Sequence, residues 1–224
     1  MKAMILAAGR GERMRPLTDT TPKPLLKVGG HSLIEYHLQR LSEAGISEVV
    51  INLSWLGEQI EKTLGTGKAY GMSIEYINEG KQALETGGGI FNALSLLGAE
   101  DFMVINGDVW TDFPLQQLPV FISGLAHLVL VDNPEHHPQG DFAITTTGHA
   151  ISESTSKLTF SGIGVYSPKL FSSCNAGVFP LAPLLRGAMA SQQVTAEYYA
   201  GHWSDVGTVE RMHQLENYLQ LQQR

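Results

Sequence analysis

Residues Ala3-Met4-Ile5-Leu6-Ala7-Ala8-Gly9-Arg10-Gly11-Glu12-Arg13-Met14-Arg15-Pro16-Leu17-Thr18, followed by Pro22-Lys23-Pro24-Leu25, decide the reading of this chain. The apolar run at 3–8 has the length and composition of a buried strand, and it ends in a glycine-rich loop. Six of the 15 Lys and Arg fall within residues 1–27, against two of the 22 Asp and Glu, so the rest of the chain is acidic. Glycines at a strand end let backbone N–H groups approach an anion, and clustered cations neutralise it. The segment therefore reads as a polyphosphate loop. It is not a dinucleotide fingerprint, because Met14 stands where the third glycine belongs. Nor is it a P-loop, since no Gly-Lys-Ser or Gly-Lys-Thr follows the glycines.

Outward from this loop, strand and helix patterns alternate. Apolar runs at 48–53, 72–77, 102–106 and 126–131 have strand length. Residues 31–44 place Leu33, Ile34, His37, Leu38 and Leu41 on one helical face, closed by Gly45. Residues 55–64 and 88–97 also read as helices, and 115–123 as a further helical stretch. Beyond Asn133 come a turn-rich loop at 134–140, β structure at 141–153 and a strand at 159–166. Helices follow at 180–189 and 208–222. The alternation predicts an α/β protein with an open, mostly parallel sheet between helical layers. In such sheets ligands sit beyond the carboxyl ends of the strands. Both the 9–15 loop and Asn106-Gly107-Asp108 fall there.

Composition narrows the class. The net charge of −7 argues against nucleic-acid or anionic-membrane partners. A single cysteine, Cys174, cannot form an internal disulfide, as suits a reducing compartment. No apolar run reaches membrane-spanning length, and the run after Lys2 is too short for a signal sequence. The expectation is a cytoplasmic protein of one domain spanning 1–224. Eight scattered His show no paired ligand spacing, and His136-His137 sit in a loop.

The opening segment resembles the signature of the sugar-1-phosphate nucleotidylyltransferases. That signature joins a Leu-Ala-Ala-Gly strand end, Gly-x-x-Arg, Pro-Leu-Thr and Pro-Lys-Pro-Leu, all present here between Leu6 and Leu25. The resemblance implies a three-layer α/β/α Rossmann-like nucleotide-diphospho-sugar transferase fold with a mixed, mostly parallel sheet. It implies a nucleotide-binding half at 1–133 and a sugar-phosphate-binding half at 134–224. It is strongest toward the uridylyltransferase branch, so that UTP and N-acetylmuramate 1-phosphate are the expected substrates, Mg²⁺ the cofactor and cell-wall recycling the setting. Guanylyl or thymidylyl transfer to mannose or glucose 1-phosphate, and a non-catalytic nucleotide-sugar sensor, are the alternatives. With no oligomerising extension in view, a monomer is expected.

Nucleotidylyl transfer pushes one phosphate oxygen onto the α-phosphorus of another anion, so positioning and charge neutralisation carry it. Lys23, held between prolines, is the candidate to bridge the α-phosphate and the incoming phosphate. The guanidinium of Arg13 suits the β- and γ-phosphates. Arg15 and Lys27 divide between phosphate contact and solvent. The resemblance makes Asp108 and Asp205 the magnesium ligands, Asp205 also facing the substrate. Magnesium is commonly bound by one or two carboxylates plus phosphate oxygens. The resemblance further assigns nucleotide contacts to Ala7, Ala8, Gly9, Gly11, Glu12, Gly87, Gly88 and Gly107. Gln82 is the expected uracil reader, because its amide matches both directions of an imide edge. For the sugar it points to Asn106, Gly140, Glu153 and Ser161. Two departures stand out. Glu85 and Gly88 interrupt the family's Leu-Gly-Thr-Ala-Gly stretch, and Glu153-Ser154-Thr155 replaces Glu-Lys-Pro.

Overall fold

The computed structural model describes residues 1–80 and 83–222. Its centre is a seven-stranded sheet ordered Val194–Tyr199, Ala126–Val131, Thr159–Tyr166, Phe102–Asn106, Ala3–Leu6, Glu48–Leu53 and Ser73–Asn78. Among the described strands of this sheet, only Thr159–Tyr166 runs against its neighbours; the other pairings are parallel. The sheet is therefore mixed and mostly parallel.

The strands are apolar on both faces because helices cover both. Ala3 and Ile5 pack with Ile34, Leu38 and Ile60, so helices Leu33–Glu43 and Gly57–Leu64 lie on one side. Met4, Phe102 and Val104 pack with Ile90, Ala93, Leu185 and Met189, which puts helices Glu85–Leu97 and Ala182–Ala190 on the other. Side chains that alternate along a strand enter opposite layers, as the pleat requires. The first helix starts where a capping box predicts, with Glu35 accepting from the Ser32 N–H and hydroxyl at 2.7 Å.

A third apolar cluster sits away from the sheet. Leu215 and Leu219 of the closing helix, Val209–Gln222, pack against Met14, Leu26, Leu33 and Trp110. Glu216 of the same helix accepts the Gly29 N–H at 2.7 Å. The last helix thus braces the first loop.

Three expectations change. Residues 115–123 yield only the 3₁₀ turn Leu115–Gln117, because Pro119 supplies no N–H to continue a helix. The glycine-rich helix begins at Glu85 rather than at 88. Among the described strands, five escaped the sequence reading: Val194–Tyr199 at the sheet edge, the paired Trp203–Asp205 and Val109–Thr111, and the short pair Lys27–Val28 and His31–Ser32. Among the described residues no helix is long and apolar enough to cross a membrane.

Candidate active site

Register builds the site. Leu6 pairs with Asn106 across the Ala3–Leu6 and Phe102–Asn106 strands, so the loops leaving both carboxyl ends start side by side. The Gly107 N–H donates to Leu6 C=O at 2.9 Å. A Cβ at residue 107 would lie 2.6 Å from that oxygen, so the close approach requires glycine. Gly11 takes a left-handed conformation, φ 67°, and its carbonyl accepts from the Thr18 hydroxyl at 2.8 Å. Arg10 ties the loop down further: it stacks on the Trp55 ring at 3.8 Å and donates to Thr18 C=O and to Asp19. Trp55 itself donates its ring N–H to the same carbonyl at 3.0 Å.

These loops enclose a cavity of about 440 Å³. Ala7, Ala8, Gly9, Gly11, Glu12, Arg13, Lys23, Asn106, Gly107 and Asp108 all line it. Lys23 is 8% exposed, and its ammonium donates to Asp108 Oδ2 at 2.6 Å. Burial is the largest single influence and pushes the Asp108 carboxyl up, but the charge and hydrogen bond of Lys23, with a backbone N–H, together hold it below the usual carboxylate range. Lys23 is thus a preformed, nearly enclosed cation at the cavity wall.

The far wall departs from expectation. Gly87 and Gly88 do not line the cavity. Gly87 packs against Phe179, and Gly88 lies on the Gly177 carbonyl and donates its N–H to Phe179 C=O at 3.0 Å. These glycines serve close packing of the helix on the 177–179 segment. Glu79, Ala83, Glu85 and Thr86 line the wall instead. Gln82 lies outside the described residues. Asn52, buried at 3% exposure, links this wall to the phosphate loop. Its Oδ1 accepts from the Ala7 N–H at 2.7 Å, and its amide donates to Glu79 at 2.6 Å. Glu79 in turn accepts the Leu84 N–H at 2.8 Å. The sequence carried a signal for Asn52, a polar residue inside Val49-Val50-Ile51-Asn52-Leu53.

A second cavity, about 630 Å³, opens beside the first, and Arg13 lines both. Asp205 lines this one, not the first. The backbones of the two aspartates are nonetheless neighbours, since Asp205 pairs with Val109 and the Val206 N–H donates to Asp108 C=O at 2.7 Å. Residues far apart in sequence are brought together by the short Val109–Thr111 and Trp203–Asp205 ladder. Asp205 accepts from Arg211 at 2.6 Å and faces the His136 ring at 3.1 Å. Sequence reasoning missed both partners; His136 lies in a loop and Arg211 on the closing helix. Asp108, in the turn after Phe102–Asn106, and Asp205, on the strand paired with Val109–Thr111, are hard carboxylates of the kind that hold magnesium together with phosphate oxygens, and each is engaged by a side-chain cation.

The remaining sugar-side residues spread more widely. Gly140, Glu153 and Ser161 line neither cavity. Gly140 turns against Asn133 and Leu158, and Glu153 is exposed on the surface. Ser161 is buried, and its carbonyl accepts the Trp203 ring N–H at 2.9 Å, so it supports a wall of the second cavity from behind.

The glycine-rich loop at a strand end of this sheet, the enclosed lysine and the two aspartates beside them point to a class, and comparison with known proteins agrees. Residues 2–149 match the family described as nucleotidyl transferase, and the chain belongs to that family. It is 54% identical over 222 residues, 95% of each chain, to the N-acetylmuramate alpha-1-phosphate uridylyltransferase of Neisseria meningitidis serogroup B (strain ATCC BAA-335 / MC58). It is 32% identical over 220 residues to the protein of the same name from Caulobacter vibrioides (strain ATCC 19089 / CIP 103742 / CB 15), covering 92% of this chain and 91% of that one. Among solved structures, a putative glucose-1-phosphate thymidylyltransferase from Bacillus anthracis, in complex with a sucrose, superposes with a TM-score of 0.85 at 22% identity. The match covers 98% of this chain and 95% of that one, and it supports the fold.

Proposed function

We propose that the protein joins UTP to N-acetylmuramate 1-phosphate, giving UDP-N-acetylmuramate and pyrophosphate, in cell-wall recycling. The observation that carries the chemistry is the enclosed Lys23 ammonium, 2.6 Å from Asp108 where two strand-end loops meet. The 54% identity to the Neisseria uridylyltransferase supports the choice of nucleotide and sugar.

In this reading a phosphate oxygen of the sugar 1-phosphate attacks the α-phosphorus of UTP in line. The bond from that phosphorus to the α–β bridging oxygen breaks, and pyrophosphate leaves with its electron pair. No proton need move. Lys23 neutralises the two anions as they meet, and Arg13, on the wall common to both cavities, holds the departing phosphates. Backbone groups of Ala7, Ala8, Gly9, Gly11 and Gly107, with Glu12, seat the nucleotide. The Asn52–Glu79 pair fixes the wall across from it. Asp108 and Asp205 would hold Mg²⁺, which supplies further neutralisation of the phosphates when bound.

The sugar phosphate enters from the second cavity, beside Asp205 and with Ser161 behind its wall, and reaches toward Asn106 in the first. Gly140 and Glu153 act only by shaping the surrounding loops. Residues 1–133 serve the nucleotide and 134–224 the sugar, within one cytoplasmic, monomeric domain.

Pyrophosphate release across a panel of UTP, CTP, GTP and dTTP with several sugar 1-phosphates tests this reading. UTP with N-acetylmuramate 1-phosphate should give the highest kcat/KM, and chelation of Mg²⁺ should abolish turnover. A clear preference for GTP or dTTP, or for glucose 1-phosphate, would replace this assignment. Nucleotide binding without any pyrophosphate release would favour a sensor.

A further inference from the structure

The second cavity holds a charge arrangement that nucleotide chemistry leaves without a ligand. Arg211, its side chain only 12% exposed, donates from Nη1 to both Asp205 oxygens at 2.6 Å. His136 approaches the same carboxylate at 3.1 Å and also contacts Arg211. Among the described residues, every side-chain hydrogen bond of Arg211 runs through Nη1; Nη2 packs against Gly207, and Nε is left to a second oxyanion. Both side chains sit on elements outside the glycine-rich loop, one on the Val209–Gln222 helix and one on the 134–140 loop.

Asp205 is also the carboxylate assigned above to the metal. Once shared with a divalent ion, it neutralises Arg211 less, and an enclosed guanidinium then needs another anion. The phosphates of UTP already have Lys23 and Arg13 in the first cavity. N-acetylmuramate differs from N-acetylglucosamine by one anion, the carboxylate of the lactyl ether on O3. A guanidinium fork matches a carboxylate in geometry as well as charge.

We propose that Arg211, assisted by His136, receives the carboxylate of the sugar substrate and thereby selects an acidic over a neutral amino sugar. This rests on the uridylyl-transfer reading above. Arg211 is then a specificity-determining residue, placed where the second cavity meets the metal carboxylate.

The test uses two matched ligand pairs on the full chain with Mg²⁺ present. Calorimetry gives Kd for UDP-N-acetylmuramate and UDP-N-acetylglucosamine, and kinetics give kcat/KM for the two sugar 1-phosphates with UTP. Arg211→Met should cut the preference for the acidic member by about tenfold or more in both ratios, as expected for a lost charged hydrogen-bond pair. His136→Gln should move the ratios the same way by roughly threefold, which provides a second reading should the arginine variant fold poorly. Equal losses for acidic and neutral ligands would overturn the inference, since Arg211 would then act only through Asp205. A rise in KM for UTP irrespective of sugar would also overturn it, because the anion would be a phosphate. Wild-type enzyme that refused N-acetylmuramate 1-phosphate altogether would remove the uridylyl-transfer reading itself. That result is distinct from a defect confined to the variants.

Discussion

The two cavities are built in opposite ways. The cation-bearing side of the first is assembled from a continuous segment, Leu6 to Lys23, and from one strand end, Asn106-Gly107-Asp108, set beside it by parallel pairing, while Asn52, Glu79 and residues 83–86 close its far wall. The second draws on loop 134–136, on strand Trp203–Asp205 and on the closing helix, which meet only in three dimensions. The difference separates what is shared from what is particular. In the proposed function, the phosphate chemistry falls to one motif. Discrimination among sugars then falls to dispersed side chains outside that motif. Arg13 lines both, which is where the proposed joining of two anions is expected.

Removing the first cavity's enclosed charge should produce the largest effect. Lys23→Ala is expected to lower kcat by a factor on the order of 10² or more, with far-UV circular dichroism unchanged. Near-normal turnover in a folded variant would mean that the first cavity does not carry the chemistry.

The next effect sharpens the comparison through stability. His37, buried in the helix beneath the first cavity, has its pKa pushed down to about 4 by burial and by the nearby Arg40 charge. The native state therefore keeps it neutral at pH values where the unfolded chain binds a proton. Its contribution is fully present above pH 6.5 and is lost as pH falls from there toward 4, by about 3 kcal/mol in all. Urea unfolding at several pH values should show His37→Leu with a shallower acid decline than wild type. Parallel declines would exclude the assignment.

A smaller effect concerns the link between the phosphate loop and the opposite wall. Asn52→Ala strands the Ala7 N–H and one Glu79 oxygen, and should raise KM for UTP about tenfold while leaving KM for the sugar phosphate within twofold. Equal changes in both constants would show that the two cavities are not independent. Smallest of all, Trp55→Leu should alter KM for UTP by only about two- to threefold, because the Arg10 stack on Trp55 is half exposed and Arg10 keeps its bonds to Thr18 and Asp19.

The same contrast explains what could be read from the sequence. The strand-loop signature, Lys23 and Asp108 were legible because local geometry imposes their spacing: a strand end, a glycine turn and a proline-flanked lysine. Asp205 was recognisable only through its Asp-Val-Gly-Thr context. Arg211 and His136 carried no local signal, since the contact between them depends on the path of the whole carboxyl-terminal half. The Val194–Tyr199 strand was missed because its alternation rests on Val194 and Ala196 alone before the chain turns at Gly201. Gly87 and Gly88 misled for a related reason. Glycine clusters suit both phosphate contact and close packing, and here Phe179 and Gly177 occupy the space.

The central claim is that two cavities, meeting at Arg13, divide the two substrates between them. A crystal structure with UDP-N-acetylmuramate and Mg²⁺ tests this most directly. The account predicts the uridine between Ala8 and Glu79 in the first cavity, the diphosphate passing Lys23 and Arg13, and the amino sugar in the second cavity beside Asp205. A product lying wholly within the first cavity, with its sugar remote from His136 and Arg211, would contradict it.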